Sequence, residues 1–303
     1  MSWLPLALAA PALLTLVNFI DKFLIERAIR DHRAMPLFGG FIGALASTIL
    51  WLAGVNVSLA VGDALILLTA GILVIVGAIF YFRAISLEQT STIILIFQAT
   101  PLLTLLLGWL LLGETIGGWQ LVGFFLILIS AIAISIQPGA GSLRISLAAY
   151  LMLIVSLTVA SRSIMVRTMT GSPDLGTLLV YLGWGQGIGA LILYLFGKAY
   201  RRALHQAMEK IRPATLGILA INETLFLIAA ALGNQALTLG PAALVNVLGG
   251  TASFYGILFG AVLTLIAPSI FKESIARREL LRKSALALLL FAGLGFVVLG
   301  NAT

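Results

Sequence analysis

Long apolar stretches separated by short polar segments make up nearly the whole chain. Each stretch approaches the roughly 20 apolar residues that a helix needs to cross a bilayer, so we predict about ten membrane-spanning helices. The first five predicted spans are Trp3–Ile25, Pro36–Ala53, Ala64–Ile85, Thr92–Leu112 and Trp119–Ile136. The second five are Leu147–Thr168, Leu175–Phe196, Leu216–Leu237, Pro241–Ile266 and Ser284–Leu299. A transmembrane β-barrel is excluded, because its strands would show alternating segments of about ten residues.

Two breaks in the apolar pattern organise the chain. The Pro-Gly-Ala-Gly-Ser stretch at Pro138–Ser142 is typical of a linker and falls between the two sets of five spans. We therefore predict a first five-helix repeat over residues 1–137, a linker over 138–145 and a second repeat over 146–303. The charged segment from Lys198 to Arg212, with apolar residues at helical spacing, predicts an amphipathic helix on the membrane surface.

Short matches in the same order support an internal repeat. Gly39–Leu45 in the second span resembles Gly185–Leu191 in the seventh, and both contain Gly-x-x-x-Gly. Ala84–Leu87 at the end of the third span matches Ala236–Leu239 at the end of the eighth. Each glycine alone is explained by helix packing, since small residues let helices approach closely in lipid. An odd number of spans per repeat inverts the second copy, an architecture typical of secondary transporters.

Composition supports a membrane protein. Hydrophobic residues make up 61% of the 303 positions, charged residues only 10%, and the mean hydropathy is +1.13. A soluble fold is excluded, since soluble chains are about a quarter charged. The fold class is therefore an all-α integral membrane protein with two inverted five-helix repeats. The chain has no cysteine, which excludes thiolate nucleophiles and thiolate metal sites. We expect the first span to be retained and not cleaved as a signal peptide.

Residues in the first half resemble a known family. The relevant positions are Ala84, Leu87, Pro101, Leu111–Glu114, Gln120 and Gly123. Together they are similar to the EamA domain of the drug/metabolite transporter superfamily. The second half departs from the pattern, with Ser253 in place of the proline and Lys272-Glu273 in place of Gly-Glu. The resemblance implies a ten-helix transporter of small metabolites, often amino acids moved outward, with a central cavity and alternating access.

Basic residues are concentrated in alternate loops. Sixteen of the 18 Lys and Arg residues fall on one side of the predicted bundle, and only Arg162 and Arg167 lie toward the other. Lys and Arg are retained in the cytoplasm, so we expect both termini outside it, in a bacterial cytoplasmic (inner) membrane. Transporters with EamA domains commonly have both termini inside. The charge pattern and the resemblance thus disagree, and we follow the charge pattern.

A few ionisable residues within the spans are candidates for function, because charges at depth are costly unless they are paired or face a polar cavity. Glu223, beside Asn222, could bind a proton, pair with a substrate ammonium or neutralise a basic residue; the alternative is an interhelical salt bridge. Asn18, Asp21 and Lys22 can cluster over one helical turn, and Asp21 is a second candidate for charge coupling. Lys22 aligns with Arg162 in the repeat and could approach an anionic group, or both could anchor helix ends in the headgroups.

Other polar or aromatic residues lie on spans expected to line the cavity. Their side chains must find partners in a neighbouring helix or in a substrate. Trp184 and Tyr255 could form apolar walls of the cavity or simply pack between helices. The predicted substrate-binding set is Asn18, Lys22, Tyr81, Gln98, Arg162, Trp184, Gln186, Asn222, Glu223, Asn246 and Tyr255.

These observations predict a secondary active transporter, an exporter or exchanger, of small polar metabolites such as amino acids. No Walker A motif occurs, so uphill transport needs an ion gradient or solute exchange. One alternative is a flippase or transporter of a lipid-linked or phosphorylated substrate. An integral membrane enzyme is disfavoured, because both histidines fall in loops and neither HExxH nor GxSxG occurs. We expect neither a cofactor nor a metal, and no binding of nucleic acid. The expected partners are a small-molecule substrate and the bilayer. The expected oligomeric state is a monomer or a dimer.

Overall fold

The fold is built from helices. The structure is a computed structural model that describes residues 3–113, 117–135, 145–168, 173–239, 248–271 and 273–302, and no strand occurs among them. The helices of the first half are α1 Trp3–Phe23, continued by the π-helical turn Leu24–Ala28, α2 Met35–Leu52, α3 Val61–Leu87, α4 Thr90–Phe97, α5 Thr100–Leu112 and α6 Gly118–Ser135. Those of the second half are α7 Leu147–Arg167, α8 Leu175–Phe196, α9 Lys198–Lys210, α10 Pro213–Leu239, α11 Ala252–Ile266 and α12 Arg277–Ala302.

Eight helical segments within the described ranges are long and apolar enough to cross a membrane. Two shorter apolar helices, Gly118–Ala133 and Ala252–Ile266, overlap the fifth predicted span and the second part of the ninth. The prediction of an all-α, multi-pass membrane protein is confirmed. The count of ten complete spans stays a prediction.

The fourth predicted span is interrupted. Two helices, α4 and α5, replace a single helix over Thr92–Leu112, and the break falls at Gln98 and Ala99. Pro101 explains the position of the break, because it has no N–H to donate to the Phe97 carbonyl four residues earlier and its ring would clash with that carbonyl, and α4 ends at Phe97. It sits in the first turn of α5, where a missing N–H leaves no helical hydrogen bond unmade.

Several helix ends differ from the prediction. The helix α12 begins at Arg277 instead of Ser284, so the basic segment Arg277–Lys283 forms its first two turns and not a loop. The helix α11 begins at Ala252, after Gly249 and Gly250, while residues 241–247 and the predicted linker Pro138–Ser142 lie outside the described residues. At the start of α8, Asp174 caps the helix by accepting hydrogen bonds from the Thr177 amide and from the Thr177 hydroxyl, each at 2.9 Å. These hydrogen bonds lower the pKa of Asp174.

The main helix pairs each join one half of the chain to the other. The helix α1 packs against α10, α2 against α8, α3 against α7, α4 against α11 and α6 against α12. This set of pairs is unchanged when the two sets of five spans are exchanged, as expected for two copies related by a pseudo-two-fold axis. One pair breaks the symmetry: α3 packs extensively along α8, whereas the corresponding helices α10 and α2 make little direct contact. The sequence boundaries of the two repeats stay a prediction.

Candidate functional site

A polar cluster joins α1, α3 and α10. The Tyr81 hydroxyl lies 2.8 Å from Asn18 Oδ1 and 3.0 Å from Asp21 Oδ2, and its single proton can serve one of them at a time. Asn222 donates from Nδ2 to Asp21 Oδ1 at 2.9 Å. Asp21 and Asn222 are 5% and 3% exposed. The structure thus brings together four of the predicted residues, from both halves of the chain.

Glu223 extends this cluster toward α2. It follows Asn222 on α10, is partly buried, and its Oε1 faces Gly39 of α2. Among the residues that the structure describes, neither a hydrogen bond nor an ion pair engages its carboxylate. The Asn222 Oδ1 atom is also buried without a hydrogen-bond partner in the same part of the chain. Asp21, Asn222 and Glu223 therefore present several acceptor oxygens and no cationic neighbour bound to them.

Lys22 turns toward the end of α3. Its ammonium donates to the Ile85 carbonyl at 2.5 Å and to the Glu88 carbonyl at 2.7 Å, and it pairs with Glu26 at 3.1 Å. The last carbonyls of a helix have no intrahelical donors, so a cation is stabilised there. In this conformation Lys22 ties α1 to α3, and its substrate-binding role stays a prediction.

Arg162, the predicted counterpart of Lys22, is differently placed. It lies in the last third of α7 and is partly buried. No hydrogen-bond or ion-pair partner of its guanidinium occurs within the described ranges. A partly buried, unengaged guanidinium fits an anionic ligand group, since its planar set of donors binds carboxylates bidentately.

The remaining predicted residues lie on other helices. Trp184 donates from Nε1 to Thr48 Oγ1 at 3.2 Å, and its ring packs edge-on against Trp51 and Tyr181. The Gln186 amide lies beside Gly43 of α2, so both residues of α8 face α2.

Three further predicted residues complete the set. Gln98 lies at the α4–α5 break, and the Tyr255 ring stands 5.8 Å from that of Phe259. Asn246 lies outside the described residues. Within the described ranges, no hydrogen bond joins Gln98, Trp184, Gln186 or Tyr255 to the cluster around Asp21.

A buried ion pair was missed by the sequence reasoning. Lys283, which the charge pattern assigns to a cytoplasmic loop, is 1% exposed. Its ammonium donates to Gln89 Oε1 at 2.6 Å and to Ser91 Oγ at 2.7 Å, and lies 3.4 Å from Glu273 Oε2. Ser91 in turn donates to Glu273 Oε2 at 2.5 Å. The sequence contains two signals: Lys283 stands at the start of an apolar run, and Glu273 stands at the glutamate position of the EamA pattern.

The first half of the chain is similar to a known protein family. Residues 1–136 match the model of the EamA-like transporter family. No curated protein matches the chain. A solved structure described as "Crystal structure of protein" is 17% identical, with a TM-score of 0.48 over 96% of this chain and 93% of that chain. Residues 1–136 are therefore similar to an EamA-like transporter domain, and with apolar helices of membrane-spanning length in both halves the chain is a multi-pass membrane protein.

Proposed function

We propose that this protein is a secondary active transporter that exports or exchanges small polar metabolites such as amino acids, by alternating access between its two halves. One observation carries the proposal: Asp21, Asn222 and Glu223 form an acceptor-rich group on α1 and α10, without a basic partner among the described residues. Ionisable side chains at depth in a bilayer are costly and mark substrate or ion pathways. Carboxylate and amide oxygens suit a substrate ammonium, which carries three donors and no acceptor.

The other end of the substrate needs a positive partner. Arg162 supplies it in this proposal, since its guanidinium has no partner within the described ranges and binds carboxylates well. A substrate with both an ammonium and a carboxylate group uses both sites. An amino acid has this chemistry.

The energy source and the oligomeric state are part of the same proposal. No Walker A motif occurs, so transport runs on an ion gradient or on exchange of one solute for another. Both sides of the proposed site come from one chain, so a monomer is sufficient. We assign it no enzymatic reaction and no cofactor.

Counterflow in proteoliposomes tests the proposal. Vesicles are loaded with a mixture of unlabelled amino acids, and the uptake of single labelled amino acids is measured. We expect uptake with the unaltered protein. With Glu223→Gln we expect uptake to fall by about tenfold or more, because a charge-assisted hydrogen bond contributes about 1.5–3 kcal/mol.

Thr224→Val is the matched control. Thr224 is the exposed neighbour of Glu223 on the same helix and donates to the Ala220 carbonyl of its own turn. We expect its uptake to match the unaltered protein. Absence of uptake for every amino acid, or undiminished uptake with Glu223→Gln, would overturn the proposed function.

A further inference from the structure

At the crossing of α3 and α8 the two helix backbones are in direct contact. Gly71 and Gly185 are both buried at this crossing. A Cβ atom built on Gly71 would lie 2.7 Å from the Gly185 Cα, and one built on Gly185 would lie 2.9 Å from the Gly71 Cα. Real Cβ atoms do not approach so closely, so only glycine fits at either position. This is the close helix approach that small residues allow in membranes.

The internal repeat identifies the counterpart of this crossing. The match of Ala84–Leu87 with Ala236–Leu239 aligns Gly71 with Glu223, and the Gly-x-x-x-Gly match aligns Gly185 with Gly39. The structure supports the first alignment independently. Both α3 and α10 have 27 residues, and Gly71 and Glu223 are each the eleventh residue of their helix.

Glu223 and Gly39 meet in the structure, as the repeat requires. A Cβ built on Gly39 would lie 3.5 Å from Glu223 Oε1, an ordinary van der Waals distance. The contact therefore runs through the carboxylate, whereas at Gly71 and Gly185 it runs from backbone to backbone. Gly39 and Glu223 are partly exposed, and Gly71 and Gly185 are buried. The two equivalent crossings thus differ by one side chain, and that side chain is an ionisable carboxyl group.

The two crossings also lie toward opposite faces of the membrane. The helix α3 begins on the face opposite the basic loops, and α10 begins at Pro213, directly after Arg212 on the basic face. The eleventh residue of each helix is therefore nearer the face where that helix starts. A transporter that alternates needs two such contacts, one for each face.

We propose that Glu223 is the gating residue of the α2–α10 crossing: its carboxylate holds the two helices apart, and binding of a substrate ammonium lets them close as α3 and α8 do. This inference rests on the proposed transport function. Closing the crossing over an unpaired carboxylate would strip its water and leave a buried charge without a partner. An ammonium removes that cost, because it pairs with Glu223 and can donate to Asp21 and to the free Asn222 Oδ1. Occupancy and closure are thereby coupled.

Spin-label distances test the gate directly, since the chain has no native cysteine. Arg33→Cys with Ala214→Cys places labels at the starts of α2 and α10, and both positions are exposed. Val61→Cys with Leu175→Cys places labels at the starts of α3 and α8. Distances are measured in lipid by pulsed electron paramagnetic resonance, at one fixed pH.

Variants at position 223 separate charge from bulk without any ligand. We expect Glu223→Gln and Glu223→Gly to shorten the α2–α10 distance, and Glu223→Asp and Thr224→Val to leave it unchanged. The α3–α8 distance should lengthen in the same two variants, a reciprocal change that local repacking at residue 223 would not produce. Unchanged distances in Glu223→Gln and Glu223→Gly would overturn the gating role, even if amino acid counterflow succeeds.

Methylammonium is the probe for the ligand. It should shorten the α2–α10 distance of the protein with Glu223 and have no effect on the Glu223→Gln variant. No change with Glu223 present would overturn the assignment of an ammonium ligand. Failure of counterflow with retained distance changes would instead remove the amino acid substrate and leave the gate supported.

Discussion

A single hydroxyl links two acceptors at the centre of the polar cluster. Tyr81→Phe removes the donor that serves Asn18 Oδ1 and Asp21 Oδ2, while the ring and its packing remain. A buried acceptor left without its donor costs about 1–3 kcal/mol, so we expect this variant to have a lower free energy of unfolding. Denaturation in mild detergent measures the loss.

Tyr255→Phe is the control for this loss. The Tyr255 hydroxyl has no hydrogen-bond partner among the described residues, so we expect its removal to leave stability unchanged. Equal stability of the Tyr81→Phe variant and the unaltered protein would show that the hydroxyl contributes nothing to the cluster.

The glycine crossing of α3 and α8 gives a second prediction for single residues. In Gly185→Ala the new methyl group would lie 2.9 Å from the Gly71 Cα, so the two backbones must separate. Overpacking of this kind costs about 1–3 kcal/mol, and we expect the apparent melting temperature to fall.

Gly217→Ala is the matched control on α10. No atom outside its own turn lies within 4 Å of the new methyl group, and alanine favours a helix over glycine by up to about 1 kcal/mol. Its melting temperature should stay the same or rise. A Gly185→Ala variant as stable as Gly217→Ala would contradict the close backbone contact.

Element boundaries show what the apolar pattern could and could not predict. The length of apolar runs located the spans, because the bilayer sets the length of a helix directly. The α4–α5 break could be placed only near Pro101, since the sequence does not say which residues before the proline leave the helix. The early start of α12 was missed, because a run of charged residues is typical of a loop. Only the structure shows that Lys283 is buried.

The buried ion pair at the start of α12 supplies a prediction for packed elements. Lys283→Met leaves Glu273 with a buried charge and no cation, and Glu273→Met leaves Lys283 without its carboxylate. Breaking a buried pair costs about 3–5 kcal/mol, whereas replacing both partners costs less. We therefore expect each single variant to be less stable than the double variant Lys283→Met with Glu273→Met.

Detergent denaturation of the four proteins in this mutant cycle measures the coupling energy. Arg278→Met, an exposed change on the first turn of α12, should have little effect. Additive losses in the double variant would show that Lys283 and Glu273 do not act on each other.

Pairing between the halves of the molecule decides which candidate residues meet. The rarity of polar groups in apolar spans was enough to single out Asn18, Asp21, Asn222 and Glu223 from the sequence. The direction in which Lys22 points could not be predicted, because it depends on where α3 ends beside α1. Likewise, the equivalence of Gly71 and Glu223 could not be interpreted from the sequence. It depends on the packing of α3 against α8 and on the position of α10 beside α2.

Orientation in the membrane is a property of the whole charge distribution. Exposed basic residues concentrate on one face, where Arg27, Arg30 and Arg33 follow α1, and Arg202, Lys210 and Arg212 lie between α8 and α10. The buried Lys283 no longer counts toward this face, yet the excess persists without it. Since Lys and Arg are retained in the cytoplasm, both termini should lie outside it.

Reporter fusions test this orientation. A fluorescent protein that matures only in the cytoplasm should be dark when fused after Thr303 and bright when fused after Lys210, at the end of α9 on the basic face. Alkaline phosphatase, active only outside the cytoplasm, should give the opposite pattern. A bright fusion after Thr303 would place the termini inside, as is common for the EamA domain, and would mean that helix packing or a strong first span overrides the fifteen other basic residues on one side.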